Sequence, residues 1–387
     1  MEEREKFEEF SLLGGPLHRL GCRLGLVRDR TNTFALGLAL GAFLWTVLAA
    51  LALIEGIGHQ VFSLSVIGGH ARLLLAIPLF FLCEAWVDPR MTAFVRGIVR
   101  AEVVPPNALP ALRSEIARTV RSKDSWVPDA VCLLAAVLLS VMGSHLHLSG
   151  ASATQDPSRA VGEMFLTGQW YWLVCLTLFR FLMLRWLWRL GLWCHFLWRV
   201  SKLPLHLVPT HPDGVAGIGS LEGAHTQFIP IVLAISIVQC AAFAEEISAG
   251  TMTLEAIYPA LALILVVDAA LFLAPLCIFT PKLWACRVKG SGDYMELAAS
   301  YVNEFERKWL TAAGPRREDL LGTADLQSLA DLNNAVSVVR NMRLVPISHR
   351  LLIQMTLAAS LPMLPLLLLK YPVAELAQKF FMRLSGM

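Results

Sequence analysis

The sequence predicts an all-α, polytopic membrane protein with about seven transmembrane helices, and two observations support this fold class. The 387-residue chain is 56% hydrophobic and only 16% charged, with a mean hydropathy of +0.58. Soluble domains hold roughly 45–50% apolar and about 25% charged residues. In addition, stretches of the roughly 20 apolar residues needed to cross ~30 Å of hydrocarbon recur along the chain. Together these features exclude a soluble enzyme, a disordered chain and a disulfide-rich secreted domain.

The apolar stretches differ in length and in the charged residues that interrupt or follow them. The seven predicted spans lie at roughly 34–55, 72–88, 127–147, 168–187, 225–246, 256–280 and 351–369. The second is short and is interrupted by Glu84, and the fourth continues as an amphipathic, basic helix to about Lys202. The first apolar stretch starts only near Phe34, after acidic and basic residues, so a cleaved signal peptide is not expected.

The distribution of basic residues predicts that the N-terminus is cytoplasmic and the C-terminus external. With this orientation, 27 of the 33 lysines and arginines fall in cytoplasmic segments, five fall outside and Arg180 lies within a span. The resulting parts are a cytoplasmic segment 1–33, six spans over 34–280 with cytoplasmic loops 89–126 and 188–224, a cytoplasmic helical hairpin 281–349, and a seventh span with a short external C-terminal helix over 350–387.

The hairpin has helical periodicity on both sides of a turn at Gly314-Pro315-Arg316-Arg317. Apolar residues recur every four positions from Leu297 to Trp309, and a second helix is expected from about Ala324 to Met342. Sixty residues are few for a catalytic domain. We therefore expect the hairpin to pack on other cytoplasmic segments, on a neighbouring subunit or on a cytoplasmic protein partner.

Three ionisable residues fall inside predicted spans, where charges are costly and mark candidate functional positions. Glu84, Arg180 and Asp268 each lie twelve positions after the start of a span that runs from outside to inside. This places each roughly 18 Å from the outer face, so one polar layer is expected. An ion or proton pathway is one interpretation. A static ion pair that fixes helix packing is another, and Arg180 extending to the inner interface is a third.

Prolines inside the predicted spans are expected to kink or break them. They are Pro78, Pro230, Pro275, Pro362 and Pro365. Each removes a backbone hydrogen bond, and a broken helix can expose carbonyls to an ion or act as a hinge. Prolines are also common in passive membrane helices, so this alternative stays open.

The most distinctive cytoplasmic loop gathers histidines, acids and glycines in a short stretch. Its candidate residues for ligand binding or gating are His206, His211, Asp213, Gly214, Gly217 and Gly219, with Glu222 and His225 nearby. A metal or phosphate site is one interpretation, although no metal ligand set is predicted. The order Pro212, Asp213, Gly214 also suits a β-turn, and the glycine spacing matches neither a dinucleotide fingerprint nor a P-loop.

Two further features concern helix packing and the outer surface. Gly37 and Gly41 form a small-xxx-small face, which allows close helix contact within the chain or in a homo-oligomer. Glu245 and Glu246, at the outer end of the fifth span, are expected to face water. The eight cysteines form no CxxC pair, so neither a disulfide framework nor a thiolate zinc site is expected.

Several stretches resemble a family of uncharacterised bacterial multi-pass membrane proteins. They are Arg185-Trp186-Leu187-Trp188-Arg189 through Leu207-Val208-Pro209-Thr210-His211-Pro212-Asp213-Gly214, Phe305-Glu306-Arg307-Lys308-Trp309, and Ala324 to Leu332. The resemblance implies a bacterial inner (cytoplasmic) membrane location. It implies no activity, cofactor or residue role.

The leading functional hypothesis is a channel or transporter for a small ion or solute. In it, Asp268 and Glu84 bind or relay the ion, Arg180 tunes them, and the loop from His211 to Gly219 couples the cytoplasmic part to the pathway. A non-catalytic scaffold or signalling subunit is the alternative, and a membrane-embedded enzyme comes third because no catalytic motif or residue is found. No cofactor is indicated, and a net charge of +3 is too small to predict nucleic-acid binding. The composition predicts the lipid bilayer as a partner.

Overall fold

The computed structural model describes residues 32–63, 66–146, 166–311 and 323–366, and these ranges are all-helical, with no strand. Parts of three predicted features lie outside the described residues. These are the cytoplasmic segment up to residue 31, the turn at residues 314–317, and the C-terminal part from residue 367.

We number the longer helices of the described ranges α1 to α10. They are α1 (Asn32–Ile54), α2 (Ile67–Arg100), α3 (Leu109–Asp124), α4 (Trp126–Leu146), α5 (166–201), α6 (Ser220–Ser248), α7 (Leu254–Phe272), α8 (Thr280–Trp309), α9 (Ala324–Arg340) and α10 (His349–Ser360). Short 3₁₀ helices follow two of them, Ala274–Phe279 after α7 and Leu361–Met363 after α10. Proline lies in the first turn of each 3₁₀ helix, where its missing N–H ends the preceding α-helical ladder.

Three helices, α1, α2 and α6, are long and apolar enough to cross a membrane. Two bent pairs raise the number to five if each pair forms one span: α3 with α4, bent by 44°, and α7 with α8, bent by 46°. The predicted fourth span lies in α5, which is not among these candidates. The described part of the chain therefore supports a membrane protein with three to five candidate spans, and seven spans with a fixed orientation stay a prediction.

Helices α2 and α5 run parallel in a constant register. Three cross-helix contacts join residues exactly 99 positions apart, namely Arg72 to Tyr171, Phe80 to Phe179 and Phe94 to Trp193. The first and last contacts are separated by about 33 Å at 1.5 Å per residue. The two helices thus stay side by side over the thickness of a bilayer core.

The other long helices alternate in direction around this pair. Antiparallel contacts join α1 to α2 (Trp45 to His70), α4 to α5 (Asp129 to Arg185, Ser140 to Thr177), α6 to α2 (Gln227 to Cys83, Glu245 to Gly68) and α7 to α6 (Phe272 to His225). We call the end of the bundle that holds residues 203–219 the loop end. The opposite end holds Glu55, Gly68 and Glu245.

The small-residue face of α1 packs against α2 of the same chain. A Cβ on Gly37 would lie 2.6 Å from the Cβ of Phe81, and a Cβ on Gly41 would lie 2.2 Å from the Leu73 carbonyl oxygen. Real Cβ atoms do not approach backbone so closely. The close contact expected from this motif is therefore made within the chain, and a homo-oligomer stays a prediction.

We predict that Gly41→Ala lowers the free energy of unfolding by about 1–3 kcal/mol, because the new methyl group overpacks the α1–α2 contact. Gly191→Ala is the matched control, since a Cβ at this helical position meets no atom within 4 Å. There the helix propensity of alanine should be neutral or slightly stabilising. Thermal unfolding of both variants in the same detergent measures the difference, and equal melting temperatures would contradict the packing argument.

Candidate functional site

Glu84 belongs to a buried ion pair between α2 and α5. Its Oε1 lies 3.0 Å from Nη2 of Arg189, and the two side chains are only 7% and 8% exposed. The guanidinium of Arg189 also lies 5.3 Å from the ring centroid of Trp186. The constant register places Met183 of α5 at the level of Glu84, and Arg189 lies six positions further along the helix. Its long side chain points back toward the helix N-terminus.

Further charges surround this pair. Nε of Arg185 lies 3.5 Å from Oδ1 of Asp129 in α4, and Asp88 in α2 is 2% exposed. Glu84, Asp88 and Arg189 line a cavity of about 10 Å³, which has room for about one water molecule. We call Glu84, Asp88, Asp129, Arg185 and Arg189 the charged core. Opposite charges lie together in it, as a buried charge requires.

Arg180 has a different environment from Glu84. Its Nη1 donates to Oγ of Ser140 at 3.0 Å, and the Thr177 hydroxyl donates to the same oxygen at 2.8 Å. Asp268 lies in a third environment, in a cavity lined by residues of α6, α7 and α10. The single polar layer expected from Glu84, Arg180 and Asp268 is therefore not formed. Equal spacing from the start of each span predicts height in the bundle, but it does not predict which helices are neighbours.

Asp268 is a buried carboxylate in largely apolar surroundings. It is 7% exposed, whereas the preceding Val266 and Val267 are 65% and 46% exposed, so the carboxylate faces the bundle interior. Its Oδ2 atom has no hydrogen-bond partner in the described structure. The adjoining cavity measures about 100 Å³, and its only other polar side chain is Thr356 of α10.

Two helix breaks lie close to this cavity. Helix α7 ends at Phe272, one turn after Asp268, and α10 ends at Ser360, one turn after Thr356. Helix ends leave carbonyl groups without intrahelical partners. At both breaks side chains of α6 satisfy one carbonyl, because Ser236 Oγ donates to the Ala359 oxygen and His225 Nδ1 lies 2.9 Å from the Phe272 oxygen.

The hydrogen bonds of His225 define its tautomer. The indole N–H of Trp193 can only donate, and it lies 3.1 Å from Nε2 of His225. Nε2 therefore accepts, and the proton is on Nδ1, which donates to Phe272. His225 was grouped with the loop residues on sequence spacing, but it is fully buried and joins α5, α6 and the end of α7.

The loop between α5 and α6 is organised by the carboxylate of Asp213. It accepts hydrogen bonds from the backbone N–H groups of Val215 at 2.9 Å, Gly217 at 3.1 Å and Gly219 at 2.8 Å. Gly217 has a φ of +100°, a value that favours glycine, and a Cβ there would lie 2.7 Å from Val103. The turn expected at this position is present, and Asp213 closes it from within.

The charge of Asp213 is stabilised by these donors. Burial alone would raise the pKa of the carboxyl group, but the N–H groups of Val215, Gly219 and Gly217, together with His211, outweigh it and lower the pKa below the usual 3.8. His211 Nδ1 lies 2.9 Å from Asp213 Oδ1. All the close partners of this carboxylate belong to the loop itself.

Residues after α9 form hydrogen bonds with the loop between α5 and α6. The backbone N–H of Arg343 donates to the Gly214 oxygen at 2.8 Å, and its guanidinium donates to the Asp213 carbonyl and to Glu222. Ser348, which caps α10, donates to the same Glu222 carboxylate. The loop thus connects α6 to the start of α10.

The structure does not assemble the histidines and acids of this region into a metal site. His211 and Asp213 are in contact, but His206 lies beside α8 and His225 is buried near α7. Across the ranges that the structure describes, no group of three His, Cys, Asp or Glu residues has a metal-binding arrangement. A structural joint is the interpretation that the contacts favour.

We predict that Asp213→Asn lowers the free energy of unfolding by about 1–3 kcal/mol near neutral pH, because the new amide N–H₂ faces backbone N–H donors. The lowered pKa means that the carboxylate stabilises the fold above its ordinary pKa and ceases to do so as the pH falls through the folded value. The difference between wild type and variant should therefore shrink below about pH 4. Thermal unfolding from pH 7 to pH 3 tests this, with the exposed Asp331→Asn as control; a pH-independent difference would contradict it.

At the opposite end of the bundle, Glu245 is buried rather than exposed to water. Glu245 was expected to face water, but it is 6% exposed and its Oε1 accepts the backbone N–H of Gly68 at 2.7 Å. Arg72 lies in the same region and donates to the Tyr171 hydroxyl. Glycine at position 68 permits this approach, because a Cβ there would lie 2.8 Å from the Glu245 carboxylate.

No protein-family model, no curated protein and no solved structure matches the chain. Function is therefore argued from the residues and contacts described above.

Proposed function

We propose that the protein is an integral membrane protein that moves a small cation, and that Asp268 is the binding residue. The single observation that carries the proposal is the carboxylate oxygen of Asp268, which is buried without a hydrogen-bond partner in the described structure beside a cavity of about 100 Å³. The pathway is proposed to lie between α6, α7 and α10. Arg180 and Glu84 are not needed in it.

The charge of Asp268 argues for a bound cation. Placing an unpaired carboxylate in apolar surroundings is costly, and buried charges are therefore paired, bound to a cation or neutralised by a proton. The other buried carboxylates in the described part of the chain have partners, such as Arg189 for Glu84 and Gly68 for Glu245. Asp268 instead faces a cavity large enough for a small ion or a few waters.

The helix breaks near the cavity supply further oxygen ligands for a cation. Pro275 has no N–H to donate to the carbonyl of Leu271, so the helical hydrogen bonding is interrupted there. The chain bends by 46° between α7 and α8 at this break. Backbone carbonyls at such breaks can replace the water around a cation. The Thr356 hydroxyl in the facing wall is a further oxygen ligand. Oxygen atoms of this kind suit a proton or a hard monovalent cation.

Ion flux into proteoliposomes tests the proposal. Purified full-length protein is reconstituted, and uptake of H⁺, Na⁺ and K⁺ is compared with protein-free liposomes under an imposed membrane potential. We expect flux of at least one of these cations in the wild type and its loss in Asp268→Asn. Thr356→Val should reduce cation affinity, because it removes the second polar group of the cavity.

Ser360→Ala is the matched control. Its hydroxyl lies on the same helix and donates to the Thr356 carbonyl at 2.6 Å, but Ser360 does not line the cavity. This variant should retain flux. The proposal is wrong if the wild type moves none of the three cations, or if Asp268→Asn moves them at the wild-type rate.

The hairpin α8–α9 favours a second candidate function, binding of a cytoplasmic partner protein. Trp284, Val288, Met295 and Val302 lie at helical positions i, i+4, i+11 and i+18 of α8, within about 40° of one another around the axis. Their exposed fractions range from 39% to 58%. An exposed apolar stripe of this kind is typical of a contact surface.

Substitution of this stripe tests the second candidate. Val288→Glu with Met295→Glu should release a specific co-purifying protein, whereas the exposed substitution Arg307→Glu on the same helix should retain it. A partner that remains bound to the variant with Val288→Glu and Met295→Glu would exclude this surface.

A further inference from the structure

An extended segment, residues 203–210, lies along one face of α8 at the loop end. Contacts recur every fourth residue of the helix: Lys282 Nζ donates to the Leu203 oxygen, Cys286 Sγ to the Leu207 oxygen, Gly290 packs against Pro209, and Tyr294 OH lies 3.5 Å from Thr210 Oγ1. A Cβ on Gly290 would lie 2.7 Å from Pro209, so glycine allows this close contact. The segment is thereby fixed beside α8.

A cleft of about 500 Å³ remains between the segment and the helix. Its ionisable lining residues are Lys282, Lys289, His206 and Asp293, with Cys286 at its wall. The apolar lining comes from Pro204, Leu205, Leu207, Pro209 and Ala285. A volume of this size is typical of small-molecule sites, which also combine an apolar surface with a few placed polar groups.

The charges of the cleft favour an anion. Lys282 and Lys289 lie seven positions apart on one face of α8, about 10 Å along its axis, and both line the cleft. The ammonium group of Lys282 has further N–H donors beyond the one bound to the Leu203 oxygen. Asp293 offsets part of this positive charge, so a single phosphate fits better than a highly charged ligand.

The position of the cleft favours a membrane lipid as the source of that anion. Lys282 follows closely after the apolar 3₁₀ helix that ends α7. At the end of α5, Lys202 Nζ lies 3.5 Å from the ring centroid of Trp198, whose side chain is 43% exposed. Tryptophan and lysine in this combination are typical of the headgroup level of a bilayer.

We propose that the cleft binds the phosphate of an anionic phospholipid headgroup, with Lys282 and Lys289 as the cationic groups and Leu205 and Leu207 against the apolar part of the lipid. This binding does not depend on cation movement through Asp268. Basic pockets at a membrane surface commonly bind acidic headgroups.

Native mass spectrometry of the full chain in detergent tests the lipid site. The probes are dioctanoyl-phosphatidylglycerol, dioctanoyl-phosphatidylcholine and inorganic phosphate. We expect saturable phosphatidylglycerol binding that is tighter than phosphatidylcholine binding. Lys289→Gln should weaken it about fivefold, the effect of one basic residue near a membrane surface. Asp293→Asn should strengthen it, because it removes the negative charge from the cleft.

Arg307→Gln is the matched control, since this α8 side chain is 75% exposed and does not line the cleft. It should leave phosphatidylglycerol affinity unchanged. Equal affinity for the two lipids, or unchanged affinity in both Lys289→Gln and Asp293→Asn, would overturn the proposal. Displacement of the lipid by inorganic phosphate at an equal concentration would overturn the lipid source and assign the cleft to free phosphate. Lys282 is left intact because it also holds the extended segment.

Discussion

Arg189→Met is expected to lower the free energy of unfolding by about 3–5 kcal/mol, the range found when one partner of a buried ion pair is removed. Methionine fills most of the volume of the arginine stem, so loss of packing is small. The main effect is that the Glu84 carboxylate, 7% exposed, loses the guanidinium 3.0 Å away. Unfolding in mixed detergent micelles, followed by circular dichroism, measures the change.

A double variant separates the charge from the packing. Glu84→Gln combined with Arg189→Met removes both charges and should recover much of the stability lost in the single variant, because no unpaired ion is left buried. Arg307→Met, at a position with a 75% exposed side chain, should change stability by less than about 0.5 kcal/mol. If the double variant is no more stable than Arg189→Met, an unpaired Glu84 charge does not cause the loss of stability in the single variant.

The positions of two predicted spans follow closely from local composition, whereas the stretches predicted at 256–280 and 351–369 are interrupted after Phe272 and Ser360. The stretch predicted at 34–55 folds as Asn32–Ile54, and the stretch at 127–147 folds as Trp126–Leu146. The turn at Asp213 also follows from local residue types. Neighbours in space could not be predicted in this way, since apolar periodicity is weak in helices that are apolar on all sides. This is why Arg180 was grouped with Asp268, although its observed hydrogen bond is to Ser140.

The charged core did leave a signal in the sequence. Glu84 and Asp88 are four residues apart, as are Arg185 and Arg189, so each pair lies on one face of its helix. Two acids on one helix and two bases on another are complementary, and matching them would have pointed to the pairing of Glu84 with Arg189. Counting positions from the start of each span does not predict the pairing of Glu84 with Arg189, because an arginine side chain reaches about a helical turn away from its Cα. The burial of Glu245 had no such signal, since its partner is the backbone of Gly68.

The second large effect expected is that Asp268→Asn removes cation movement and at the same time raises the free energy of unfolding. The stabilisation should be about 1–3 kcal/mol, because the neutral amide removes the additional desolvation cost that a buried charge carries over a buried neutral polar group. The amide keeps the shape of the side chain but not its charge. Flux assays and unfolding in the same detergent-purified sample measure the two effects, and Asp129→Asn serves as control because Asp129 pairs with Arg185.

The opposite signs of these two changes distinguish a functional carboxylate from a structural one. A carboxylate kept for packing or pairing should lose stability when it is neutralised, as we expect for Asp129. A carboxylate kept for its exchange with a cation destabilises the fold while it lacks a partner, and natural sequences retain such residues at functional sites despite their cost. Loss of both flux and stability in Asp268→Asn would therefore identify Asp268 as a structural residue, even though flux itself had changed.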